Sequence, residues 1–362
     1  MDFTKAKKAF LVLADGTVFE GKSFGTEGTV IGEVVFTTAM VGYQETLTDP
    51  CYQGQMVVQT FPLIGNYGTN GEDYASDNSV VSGYIVREYC EVPSNFRCTS
   101  TLNDFMVKHG IVGLYDIDTR QLTRIIREKG VMNGMITVAE SIDKDEIIKK
   151  LADFDISEPV AAVSVKEPKV IKTENAKFNV AVMDFGDYKA YASVFAERGC
   201  NVTVLPYDTS FEDIKSLDVD GVFLSDGPGN PAVNTKSIET VKKIIDGKTP
   251  VFGVGLGHIV LALANDAKVI KLKYGHRGAS QPVVTLETGR TYITSQNHGY
   301  VVESISDDVA EVSHVNGNDK TCEGICYKNI PAFSVQFRPE TCGGPQDTSY
   351  LYDRFIKMME GK

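Results

Sequence analysis

Nothing in the 362 residues approaches the roughly 18–20 consecutive apolar residues that a membrane-crossing helix needs. The longest candidate, around 251–264, is broken by glycines and by His258. The opening segment, "MDFTKAKKAFLVLADG", lacks the apolar core and cleavage site of a secretory signal. Clusters of Lys and Arg are missing too, and the formal net charge is −12, which argues against a nucleic-acid backbone as partner. The cysteines, at 51, 90, 98, 200, 322, 326 and 342, lack the even count of a disulfide framework and fit a reducing compartment. Cys322 and Cys326 form a C-x3-C pair, but no His or second Cys pair stands at ligand spacing, so no metal is expected. These absences lead us to expect a soluble, cytoplasmic chain with neither membrane nor nucleic acid as partner.

What is present is enough apolar sequence for more than one core. At 42% apolar and 23% charged residues the chain is not of disordered type, and its length suggests two or three domains. Residues 1–154 mix short β-branched runs ("AFLVL", "GEVVFTTAM", "QMVVQTF", "SVVSGYIV") with turn clusters such as "PLIGNYGTN". One helix pattern, "TRQLTRIIREKG", carries Leu122, Ile125 and Ile126 on one face and stops at Gly130. This half reads as a β-rich domain. Residues 155–177 hold two prolines and no sustained period, and read as a linker with one strand.

From 178 to 362 the rhythm becomes strand, helix, strand. "FNVAVMDFG", "NVTVLPYD", "VDGVFLSDGPG" and "TPVFGVGLG" are strand patterns, separated by the helix patterns "YKAYASVFAERG", "FEDIKSL" and "TKSIETVKKIIDG". Alternation of this kind predicts an α/β domain with a doubly wound parallel sheet, whose sites lie at the carboxyl ends of the strands. Two glycine turns, 226–230 and 253–257, fall at such ends. The second, in "VFGVGLGHIV", has the form of a nucleophile elbow, where the residue at the tip projects its side chain into the site. Here the tip is Gly255, which has none.

"GVGLGH", "SDGPGNP", "SQNHGY" and "SVQFRPE" resemble the motifs of class I glutamine amidotransferases. "GEVVFTTAMVGYQETLTDPCYQGQ", "FPLIGNYGTN" and "YDIDTRQLTRIIREKG", with "KYGHRGASQPV" and "GGPQDTSYLYDRF", are similar to the small subunit of carbamoyl-phosphate synthase. The resemblance runs in order along nearly the whole chain. It implies glutamine hydrolysis by a Cys–His–Glu triad, in which a thiolate attacks the amide, His moves the proton and backbone N–H groups hold the oxyanion. It further implies a large subunit as partner, which uses MgATP; no cofactor is expected in this chain.

Carried over residue by residue, the triad is broken. The nucleophile position is Gly255, the base position is Arg338, and only Glu340 is kept. Arginine stays protonated and has no acceptor, so it cannot serve as a base. In the implied substrate pocket, Cys51 stands for the family's serine and Ile259 for the glutamine that follows the elbow histidine. Asp226 stands for the asparagine before the GPG turn, and Arg277 for the second histidine of the GHH motif. Gly227, Gly229 and Leu256, whose positions supply pocket and oxyanion contacts, are retained. So are Asn297, Gly299 and Tyr300, which hold the substrate's main-chain groups in the family.

Glycine at the elbow keeps a strained bend at little cost while deleting the chemistry. Arg338 is expected to pair with Glu340 or Asp226, or else to make an anion site with Arg277. His258 and His298 read as packed histidines rather than bases. Three functions stay open. The chain is a small subunit without glutaminase activity, supporting or regulating ammonia-dependent synthesis by a large subunit. Or it is a stand-alone module that binds glutamine or another small carboxylate. Or it still hydrolyses glutamine with a different nucleophile, Cys51 or Cys342.

Overall fold

In the computed structural model, residues 6–340 and 344–361 are described. The chain divides into two units, Met1–Ser157 and Glu158–Lys362.

In the first unit the β-branched runs close on themselves. Its strands are β1 (Lys8–Leu13), β2 (Val18–Gly25), β3 (Thr29–Thr37), β4 (Gln55–Gln59), β5 (Leu63–Ile64), β6 (Gly83–Ile85), β7 (Glu88–Tyr89), β8 (Val112–Tyr115) and β9 (Met132–Val138). Seven of them form a closed barrel in the order β1-β2-β8-β6-β4-β3-β9, which leaves no sheet edge unpaired. The pairs β3/β4, β4/β6 and β6/β8 are parallel and the rest antiparallel. Four helices accompany the barrel: α1 (Tyr43–Thr48), α2 (Leu102–Lys108), α3 (Thr119–Lys129) and α4 (Lys144–Ala152). α3 starts on an Asp118 cap that accepts from the Gln121 N–H, buries Leu122 and Ile126, and ends at Gly130.

The second unit is built on one ten-stranded sheet. Its elements are α5 (Pro159–Val163), β10 (Lys169–Ile171), β11 (Phe178–Asp184), α6 (Lys189–Glu197), β12 (Cys200–Pro206), α7 (Phe211–Ser216), β13 (Gly221–Leu224), α8 (Thr235–Asp246), β14 (Val251–Val254) and α9 (Leu256–Ala264). After these come β15 (Lys268–Thr285), β16 (Thr291–Ser304), β17 (Ala310–Asn316), β18 (Cys322–Tyr327), β19 (Ala332–Val335) and α10 (Tyr350–Glu360). The sheet order is β10-β12-β11-β13-β14-β19-β18-β17-β15-β16. Its centre, β12 to β19, is parallel. The strands of that centre are buried almost throughout, as expected when helices cover both faces. One apolar cluster packs α8 and α9 against the sheet, and another packs α6 and α10.

Residues 155–177 contain the one strand expected of them, and from Glu158 onward they belong to the second unit. Lys169–Ile171 pairs antiparallel with β12 and edges the sheet, and the Val165 N–H donates to Asp184 Oδ2 at 2.8 Å. A short β-branched run sufficed to join the sheet, so the boundary between units falls at Ser157 and Glu158.

Candidate functional site

The elbow is built by close approach. β14 ends at Val254, Gly255 turns with φ 56° and ψ −113°, and α9 begins at Leu256. A positive φ with that ψ is glycine territory. The Gly255 N–H donates to the Val335 carbonyl at 3.0 Å and the Gly257 N–H to the Ser225 carbonyl at 3.0 Å, which ties the bend to both neighbouring strand ends. Gly257 presses on the backbone of Leu224, where any side chain would collide with the carbonyl.

The space at the tip is filled from the adjacent strand end. A Cβ placed on Gly255 would overlap the carboxylate of Asp226. Asp226 Oδ1 accepts from the Leu256 N–H at 2.9 Å and from its neighbour Gly227 N–H at 2.8 Å. Its other oxygen, Oδ2, accepts from Arg338 Nε at 2.8 Å. The pair is buried, with side-chain exposures of 3% for Asp226 and 13% for Arg338. Asp187 joins it, its Oδ2 lying 3.8 Å from Arg338 Nη1. The Arg338 backbone is fixed by its N–H to the Ser295 carbonyl at 3.0 Å.

Glu340 is turned elsewhere. Its Oε2 accepts from Tyr352 Oη at 2.6 Å, and desolvation pushes its carboxyl up to about 7. His258 is fully buried on α9, with Nδ1 2.8 Å from Ser334 Oγ, and burial takes its ring down to about 3. It is therefore neutral at pH 7, and its surroundings are those of a packed side chain. Burial likewise lowers His298.

Asn297, Gly299 and Tyr300 lie on β16, and Arg277 faces Asn297 across the β15/β16 ladder. Arg277 is buried; Nη1 donates to the Tyr274 carbonyl at 2.7 Å, and Nη2 lies against Gly299. Ile259 is buried on α9 beside Leu256, Gly227 is half-buried, and Gly229 is exposed. Cys51 belongs to the first unit, buried in the 3-10 turn Pro50–Tyr52, where Asp49 Oδ1 accepts from its N–H at 2.9 Å. Cys342 lies outside the described residues.

The structure thus brings Asp226, Gly227, Gly255, Leu256 and Arg338 together at the carboxyl ends of β13, β14 and β19. It adds one member that the sequence reading passed over, Asp187. The signal was available, since Asp187 follows the carboxyl end of β11 in "MDFGDYK".

Two family models match the chain. "Carbamoyl-phosphate synthase small chain, CPSase domain" covers residues 11–136, and "Glutamine amidotransferase class-I" covers 181–358. The carbamoyl phosphate synthase small chain of Clostridium perfringens is 47% identical over 350 residues, 97% of this chain and 99% of that one. The small chain of Listeria monocytogenes is 45% identical over 358 residues, 98% of each. The chain belongs to the carbamoyl-phosphate synthase small chain family.

What remains at the elbow is a hydrogen-bonded ion pair. The N–H of Leu256 is bonded to a carboxylate from the protein itself. Nothing at the tip can attack, and the group beside it is a guanidinium that cannot take a proton.

Proposed function

We propose that this chain is the small subunit of a carbamoyl phosphate synthase that has lost glutaminase activity and serves its large subunit as an assembly or regulatory partner. The observation that carries this reading is the Asp226 carboxylate. It fills the volume in which a nucleophile at position 255 would stand, and it takes the N–H of Leu256 that would stabilise the reaction's oxyanion. Removing a triad nucleophile alone lowers kcat on the order of a millionfold. Here the base is replaced as well, and the receiving N–H is occupied. The large subunit then draws on ammonium instead of glutamine. It binds the MgATP for the synthesis, and this chain binds no cofactor in the reaction.

The test is carbamoyl phosphate formation by the chain with its large subunit, given MgATP, bicarbonate and either glutamine or ammonium. Product from ammonium and none from glutamine, in a complex that co-elutes, supports the reading. Product from glutamine would overturn it and direct attention to Cys51 and Cys342. Failure to form a complex would favour the stand-alone binding reading. That alternative draws on Arg277, a buried cation against Gly299 at the wall where the family holds the substrate's main-chain groups.

A further inference from the structure

Away from the elbow, three strands bring two histidines and a carboxylate together. His276 on β15 stands opposite His298 on β16 in the strand register, with ring centroids 5.0 Å apart, and Glu323 comes from β18. All three side chains are buried, Glu323 completely. One donor atom from each lies within 4.8 Å of the other two.

The hydrogen bonds leave this cluster short of positive charge. His276 Nε2 is 2.8 Å from Asp319 Oδ2, and His298 Nδ1 is 2.9 Å from the Tyr300 carbonyl oxygen. Both partners are acceptors, so each of these nitrogens carries the ring's hydrogen. In a neutral imidazole the other nitrogen is then a bare lone pair. Those inner nitrogens also face oxygen. His276 Nδ1 lies 3.4 Å from Glu323 Oε1, and His298 Nε2 lies 3.0 Å from Gln296 Oε1. Lone pairs aimed at oxygens in a buried site are repulsive unless a proton or a cation stands between them.

The outer contacts follow the pattern of a metal centre. Histidine ligands characteristically give their second N–H to a carboxylate or a backbone carbonyl, which fixes tautomer and ring orientation. Asp319 and the Tyr300 carbonyl stand in those two places. The remaining oxygen contacts are amides: Asn316 Nδ2 donates to Glu323 Oε1 and Gln296 Nε2 to Glu323 Oε2, each at 2.9 Å.

We propose that His276, His298 and Glu323 form a divalent-metal site, best suited to zinc, with a water as the fourth ligand. Two nitrogens and one carboxylate oxygen are a zinc donor set. Metal bonds of about 2.0–2.2 Å place tetrahedral donors roughly 3.3–3.5 Å apart. The His276–Glu323 pair is already at that spacing, and His298 reaches it by a small ring rotation as Gln296 moves aside. One divalent ion balances the two carboxylates. Because His276 precedes Arg277 and His298 lies between Asn297 and Gly299, the ion would pin the strands that form the pocket wall. The site does not depend on the reading of the elbow.

The experiment uses the full chain without an affinity tag, stripped with a chelator and dialysed against zinc, with bound metal counted by mass spectrometry. The expected result is about one zinc per chain, falling at least tenfold in His276→Gln and in Glu323→Gln. A hundredfold excess over Kd raises the melting temperature of the unmodified chain by roughly 5–10 °C. In case a variant misfolds, cobalt loaded into the unmodified chain gives a second readout. Visible d–d absorption of a tetrahedral ion, displaced by zinc and free of sulfur-to-cobalt charge transfer, supports the site. No bound metal, or a charge-transfer band from the chain's cysteines, overturns the proposal and leaves the cluster held by protons.

Discussion

Replacing Arg338 by methionine tests how the elbow is held shut. The substitution keeps the apolar stem and removes the charge and its donors. Asp226 then retains the N–H groups of Leu256 and Gly227 but loses the 2.8 Å bond to Arg338 Nε. Breaking a buried ion pair by removing one partner costs about 3–5 kcal/mol, because the other charge is left buried. The two remaining N–H donors hold part of the Asp226 charge, so the lower end applies, about 3 kcal/mol. For a unit of this size that is a fall of roughly 5–10 °C in melting temperature. Differential scanning calorimetry of the full chain measures it. The same methionine introduced together with Asp226→Asn should recover at least half of the loss, since no buried charge is stranded. If Arg338→Met alone melts within a degree of the parent, the ion pair does not close the site and the reasoning fails.

Four further outcomes follow from the structure. Gly255→Cys alone should give no glutamate release and should lower the melting temperature, because the new Cβ meets both the Asp226 carboxylate and a positive φ. Adding Arg338→His and Asp226→Asn should raise glutamate release at least tenfold over Gly255→Cys with Arg338→His; equal rates would show that Asp226 is no obstacle. Gly257→Ala should cost about 2–4 kcal/mol in chemical denaturation, since its Cβ would drive α9 off the Leu224 backbone, and a cost under about 1 kcal/mol would contradict the packing. Glu340, pushed up to about 7 by desolvation, binds its proton more tightly in the folded chain than unfolded, where a glutamate titrates near 4.5. Stability should therefore fall as pH rises from about 4.5 through about 7, and Glu340→Gln should flatten that slope in denaturation curves at pH 5 and pH 8.

The parallel centre of the second unit was legible because its strands are short apolar runs, its helices have a clear period, and the glycine turns between them are unambiguous. The barrel was legible only as β-rich sequence. Its closure rests on pairing Ala9 with Val138 and Lys22 with Tyr115, contacts too distant in sequence for any local pattern to announce. The antiparallel arm from β15 to β18 was seen only as motifs. Register shifts between Lys271 and His276 and between Gly278 and Gln281 interrupt the alternation that would have marked β15 as one strand. At the site, glycine at 255 and arginine at 338 could be read from residue identity. Asp226 appeared as one of two candidate partners for Arg338, and the geometry selects it. That its carboxylate also lies over Gly255 depends on a side-chain direction, which sequence does not carry.

The three changes at the elbow are mutually dependent, and this sets them apart from scattered decay. An aspartate at 226 beside an intact elbow would put its carboxylate where the nucleophile's side chain belongs, so it requires glycine at 255. That same carboxylate, 3% exposed, would be a stranded charge without a cation, so it requires Arg338. Asp226 and Arg338 each remove the other's penalty, and the hydrogen-bonded ion pair they make lies over the bend at Gly255. A site assembled this way is stable because it is closed. Reopening it by single substitutions should first cost stability, and only combined changes at 226, 255 and 338 should lead back towards chemistry.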